Sequence, residues 1–143
     1  MGTQFGQRIG ARFVADDVPG RGPLGGLLSA LPQLGARWVF AVAGDAPFVD
    51  TDVLAALLQE CTSGDEAVVP VHGVGDARRR EPLAALYERD AFLREGRIVF
   101  GQGRGALVAV LERLRVRYVE FAASDTFANV NTAADYAEFL RRL

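Results

Sequence analysis

The stretch WVFAVAGDAPFVD, residues 38–50, opens on an unbroken apolar run and stops at Asp45, which a proline turn follows at once. A continuous apolar run of this length predicts a β-strand covered on both faces of its sheet. The residues after it, TDVLAALLQEC (51–61), space their apolar side chains for an amphipathic helix, with Asp50 or Thr51 available as its N-cap. Strand followed by helix is the start of a βαβ unit, and the remainder of the chain keeps up the alternation.

Downstream, EAVVPV (66–71) predicts another buried strand and PLAALYERDAFLREG (82–96) a short strand leading into a helix. GALVAVLERL (105–114) has helical spacing, VRYVEFA (116–122) alternates as a strand does, and NTAADYAEFLRRL (131–143) closes the chain as a helix. The arginines in its last turn suit the helix dipole. Upstream, RFVADD (12–17) predicts a short strand ending in two acids, and LGGLLSALPQL (24–34) a helix that breaks near Pro32. MGTQFGQRIGA (1–11) has no period and predicts a loop or frayed end. The expected fold is therefore a single α/β domain over residues 1–143, a three-layer arrangement with a mostly parallel sheet and helices on both faces.

Composition narrows the function. At 143 residues, half of them hydrophobic, the chain has the size and apolar content of one folded domain. Its net charge of −2 offers no electrostatic footprint for DNA or RNA. Neither a membrane span nor a secretory signal is evident. The lone Cys61 has no partner for an internal disulfide, which makes the cytoplasm the natural compartment. At the end of an apolar helical run, Cys61 is expected to be a buried helix residue and not a nucleophile. All sixteen basic side chains are arginine; the chain has no lysine.

In open α/β sheets, ligands bind beyond the carboxyl ends of the strands, where helix N-termini also converge. RFVADD ends there in Asp16 and Asp17, and WVFAVAGD in Asp45. A strand-end aspartate can be a simple turn former. Beside a second acid it also suits Mg²⁺, which binds through one or two carboxylates and keeps its waters and substrate phosphates. PGRGPLGG (19–26) and GQGRG (101–105) each precede a helix, and their glycines allow either close approach to a ligand or only a tight turn. In FANVNTAAD, Thr132 and Asp135 have the spacing of a capping box. Asn129 and Asn131, two apart, fall on one side of an extended segment, as turn formers or as neutral oxygen ligands and donors beside a metal-phosphate site. His72, the only histidine, is expected in a loop. The Arg78, Arg79 and Arg80 run is expected to be solvated or to reach an anionic substrate.

The ordered set VADD, GPLGGLLSAL, WVFAVAGDAPFV, PLAALY and FANVNTAADY resembles the middle and C-terminal parts of the molybdenum cofactor guanylyltransferase (MobA) family, within the Rossmann-like nucleotidyltransferase superfamily. The resemblance runs from about Phe13 to the end. It implies transfer of GMP from GTP to molybdopterin, whose terminal phosphate attacks the α-phosphate and expels pyrophosphate with Mg²⁺ assisting. It implies Asp45 as the metal and GTP aspartate, Asp17 and Gly22 on the GTP side, and Asn129 and Asn131 near the metal and the molybdopterin; Asp45 and Asn131 are the expected catalytic pair. Such chemistry asks the protein to position reactants and neutralise charge, with no side-chain nucleophile. The family's opening strand and LAGGxSxRMGxDK loop have no counterpart here, so the chain is expected to be an N-terminally truncated member lacking the first βαβ portion. Arg104 in GQGRG is the available substitute charge. Further expectations are self-association through the sheet edge so exposed, or a rearranged N-terminal segment that covers it, and molybdoenzyme or molybdopterin-insertion partners. A silent molybdopterin- or partner-binding paralogue and a related cytidylyltransferase are the alternative functions.

Overall fold

The computed structural model describes residues 10–122 and 125–141, arranged about one mixed sheet. At its centre lies β2 (Ala67–His72), whose six residues are all buried. One edge of β2 pairs in parallel with β5 (Val116–Phe121) along its whole length, from Ala67↔Val116 to His72↔Phe121. The other edge takes two antiparallel partners in succession, β4 (Ala84–Glu88) and the two-residue β3 (Arg79–Arg80). Beyond β4 lies β1 (Trp38–Val42), also antiparallel to it.

Strands β1, β2 and β5 thus run one way, as strands in an α/β fold are expected to, while β3 and β4 run against them, β4 lying between β1 and β2. Hydrophobic pattern sets which residues are buried but carries no strand direction, so the expectation of a mostly parallel sheet holds for strand direction and not for neighbour pairing.

Two segments differ from expectation. WVFAV is not covered on both faces; only Ala41 is buried and Val42 is 48% exposed. Among the described residues β1 has a ladder partner on one edge alone, and the doubly covered strand is β2. RFVADD is irregular instead of a strand, and Phe13 is 60% exposed. A strand needs a neighbour for its backbone groups. This segment finds none among the described residues and docks on a helix instead, with the Asp17 N–H donating to Ser29 Oγ at 2.9 Å.

Helices cover both faces. On one, α1 (Gly22–Ala30) packs against α3 (Arg89–Gly101), with the five-residue α4 (Leu107–Leu111) beside α3. Leu24, Phe92, Val99 and Val110 meet Val69 and Tyr87 of the sheet there. The α1–α3 contact is close because residue 96 is glycine: a Cβ at Gly96 would lie 3.1 Å from Leu28 Cδ2. On the opposite face α2 (Thr51–Glu60) buries Val53 and Leu57 against Val68, Leu86 and Phe127. Asp50 is its N-cap, accepting from the N–H groups of Asp52 at 3.0 Å and Val53 at 3.2 Å. The chain closes with α5 (Ala133–Arg141). No described helix is long and apolar enough to cross a membrane.

A break in the sheet prepares the site. Val68 pairs with Leu86 and Val71 with Arg80, so three steps along β2 are matched by six along the partner, leaving Glu81, Pro82 and Leu83 as a bulge. Pro70, which has no N–H to donate, stands opposite the break. The bulge is fastened on three sides. Glu81 N–H donates to Pro70 C=O at 2.9 Å, Tyr87 Oη–H to Pro82 C=O at 2.7 Å, and Ala43 N–H to Leu83 C=O at 3.0 Å.

Candidate active site

The bulge, the turn after β1 and the segment before α5 enclose a cavity of about 270 Å³ at the carboxyl end of β1. Asp45, Glu81 and Asn129 are its polar lining; Ala43, Val49 and Phe127 are among its apolar walls. Asp45 is half-buried in the turn. Its backbone carbonyl accepts from Val130 N–H at 2.8 Å, so the residue between the two asparagines is tied to the aspartate by main chain. Asp45 also faces a second hollow of about 250 Å³ with Gly44, Pro47, Val130 and Tyr136.

The NVN segment is held from its other end by the expected capping box. Asp135 N–H donates to Thr132 Oγ1 at 3.1 Å, while Asp135 Oδ2 accepts from the N–H groups of Thr132 at 2.8 Å and Asn131 at 3.1 Å. The Thr132 hydroxyl and these two amides hold the Asp135 carboxyl below the usual carboxylate range. Asn129 therefore joins Asp45 in the cavity. Both asparagines are exposed, and Asn131 is not part of that lining.

Asp17 and Gly22 are not part of that lining. Asp17 lines a separate hollow of about 280 Å³ with Ser29, Arg97 and Phe100, so it does not share a cavity with Asp45. Gly22 opens α1 at φ +66°, a backbone conformation that glycine adopts without strain, with Pro23 following in the first turn. Asp16 sits over that turn; a Cβ on Gly26 would come within 3.2 Å of its Oδ1. The two glycine-rich loops meet. Arg21 stacks over the Phe100 ring at 4.4 Å and donates to Phe100 C=O at 3.2 Å, and a Cβ on Gly105 would touch Arg21 C=O at 3.4 Å. Arg104 pairs with Glu112 at 3.7 Å.

Two other residues, His72 and Cys61, differ from their expected settings, whereas Arg78, Arg79 and Arg80 are exposed as expected. His72 is not in a loop. It ends β2, is buried, stacks on Phe127 with centroids 5.1 Å apart, and its Nε2 lies 2.7 Å from Glu81 Oε1. Arg79 and Arg80 form β3, while Arg78 pairs with Glu120 and Arg80 lies over the Tyr118 ring at 5.8 Å. Cys61 caps the C-terminus of α2 and is half-buried; burial, then the nearby Asp65 charge, push its thiol pKa up, which lowers its reactivity.

Glu81 and Phe127 are the cavity residues that sequence reasoning missed, along with His72, which touches both. Only Pro70 and Pro82, one within a strand run and one beside it, hint at a bulge there. No three His, Cys, Asp or Glu side chains converge as a metal cage among the described residues. The oxygens of Asp45 and Asn129 are hard donors of the kind a hydrated Mg²⁺ uses when phosphates complete its shell.

A mixed α/β sheet with a carboxylate-and-amide hollow beyond the carboxyl end of its first strand has the layout of a nucleotidyltransferase. The chain belongs to the MobA-like NTP transferase family, whose domain matches residues 2–119. A molybdenum cofactor guanylyltransferase from Ralstonia pickettii is 33% identical over 142 residues, an alignment covering 95% of this chain and 70% of that one. The crystal structure of molybdopterin-guanine dinucleotide biosynthesis protein A from Archaeoglobus fulgidus superposes with a TM-score of 0.77 at 28% identity, covering 99% of this chain and 74% of that one. Membership makes this chain a MobA-like nucleotidyltransferase of molybdenum cofactor biosynthesis.

Proposed function

We propose that the chain transfers GMP from GTP to molybdopterin, forming the guanine dinucleotide cofactor in the cytoplasm. A terminal phosphate oxygen of molybdopterin forms a new bond to the α-phosphorus of GTP. The bond from that phosphorus to the bridging oxygen breaks, and pyrophosphate leaves. The main support is the 2.8 Å main-chain contact from Val130 to Asp45, which keeps Asn129 in the aspartate's cavity although the two lie 84 positions apart in the chain.

In this reading Asp45 holds the metal and the nucleotide phosphates, Asp17 and Gly22 lie on the GTP side, and Asn129 and Asn131 orient molybdopterin. Mg²⁺, when bound, would neutralise charge developing on the phosphates. The edge of β1 that has no ladder partner among the described residues is the proposed surface for self-association, and light scattering that finds only monomer at high concentration would rule it out.

Pyrophosphate release and dinucleotide formation, measured with GTP, Mg²⁺ and molybdopterin, test the proposal. Asp45→Asn should lower turnover by on the order of a hundredfold with the fold retained. Unchanged turnover refutes the assignment, and a preference for CTP would make the chain a cytidylyltransferase. A second reading, a binding domain that does not turn GTP over, is favoured by the absence of lysine and by the Arg104–Glu112 pair. Calorimetry with GTP, with and without Mg²⁺, separates the two, since only the enzyme requires metal-dependent binding.

A further inference from the structure

The cavity holds two carboxylates, and Mg²⁺ at Asp45 would account for one of them. Glu81 is the other. It is aimed by the bulge, anchored through its own N–H to Pro70, and bonded at Oε1 to a buried histidine that the Phe127 ring backs. A carboxylate fixed this firmly against apolar walls repels phosphate and favours a neutral ring with hydrogen-bond donors. Two acceptor oxygens side by side match two adjacent N–H donors, and Oε1 keeps a second lone pair after bonding His72. The ring N–H and exocyclic amine of a 2-amino-4-oxopyrimidine are such a pair.

Resting on the GMP-transfer reading, we infer that Glu81 recognises the 2-amino-4-oxopyrimidine edge of the acceptor's pterin, with His72 as the positioning residue that holds its carboxylate in the cavity. Guanine carries the same edge. The acceptor is favoured because Asn129, which that reading assigns to molybdopterin, lines the same cavity.

The test is a binding titration of the full chain with pterin and with lumazine, in which an oxo group replaces the 2-amino donor. The wild-type chain should prefer pterin by roughly ten- to a hundredfold, the range for a hydrogen bond to a charged group. Glu81→Gln retains an acceptor for His72 but presents a donor where the ring needs an acceptor. It should cut the preference to within about threefold, and Glu81→Ala should do the same. His72→Ala should weaken the preference and His72→Asn restore part of it, a rescue that a purely packing role would not give.

The inference is overturned if the wild-type chain binds pterin and lumazine alike or binds neither. It is also overturned if the preference survives in Glu81→Gln, or if that variant weakens GMP while sparing pterin, which would assign the edge to guanine. No turnover is required. A chain that discriminates pterin through Glu81 yet transfers no GMP sinks the reaction and leaves this recognition standing.

Discussion

Replacing Phe127 by alanine tests whether the cavity wall is also part of the core. Phe127 is 8% exposed, belongs to the cluster with Val53, Leu57, Val68 and Leu86, stacks on His72, and meets Phe121 edge-on at 5.4 Å. Truncating a fully enclosed phenylalanine costs about 3–5 kcal/mol. One flank of this ring faces an open cavity, so solvent and neighbours can partly refill the space, and the expected cost falls to about 3 kcal/mol. The two ring contacts contribute up to about 1 kcal/mol apiece. Phe127→Leu, which keeps most of the volume and loses the rings, should therefore cost about 1–2 kcal/mol. Urea unfolding followed by the fluorescence of Trp38, the only tryptophan and a neighbour of this cluster, reads both variants. For a domain of this size the alanine variant should melt roughly 10 °C lower. A loss under about 1 kcal/mol would mean that the ring only lies on the surface, and equal losses for Ala and Leu would mean that volume plays no part.

Other perturbations probe the frame around the site. Asp50→Ala removes the acceptor for two N–H groups at the start of α2 and should cost about 1 kcal/mol in thermal unfolding; no change would deny the cap its role. At Gly73, φ is +82° and a Cβ would stand 2.4 Å from Ala77 C=O, so Gly73→Ala should cost more than about 2 kcal/mol. Gly75, at φ +57° in open space, should lose only about 1 kcal/mol on the same change, and matching losses at the two positions would refute the backbone clash. Glu66 accepts from Arg115 N–H at 3.0 Å, with Arg94 at 3.1 Å, and the Arg115 amide first, then the two guanidinium groups, hold its carboxyl below the usual range against the opposing effect of burial. A carboxyl depressed in the folded state contributes stability that is present above its unfolded pKa, about 4.3, and is lost as pH falls below it. Unfolding free energies between pH 7 and 3 should therefore fall less steeply below pH ~5 for Glu66→Gln than for wild type; parallel curves would remove Glu66 from acid unfolding.

How far the fold could be anticipated depended on whether a segment's burial is local or relational. TDVLAALLQE declares its helix and its cap within eleven residues, because helical hydrogen bonds close inside the segment. AVVPVH looks like a covered strand and is one. RFVADD has equal strand character, but a strand forms only against a neighbour, and that neighbour is not written in the segment itself. The antiparallel course of β4 is hidden for a similar reason. PLAALY shows an apolar strand followed by a helix, and nothing in the run says which way it travels beside β1.

The site divides along the same line. Asp45 and NVN were legible because each sits at an element boundary with its own local marks, a strand end and a capping box. Their meeting was legible only through family resemblance, since 84 positions separate Asp45 from Asn129. Glu81 left no such mark. As one acid after three arginines it looks like part of a solvated loop, and its role in the cavity arises from the mismatch of three steps against six across β2. That mismatch belongs to two strands at once, and so does the environment of His72, which Glu81 meets only because the bulge turns the carboxylate toward it. Composition at a position can nominate a candidate aspartate; a carboxylate placed by strand register has to be found in three dimensions.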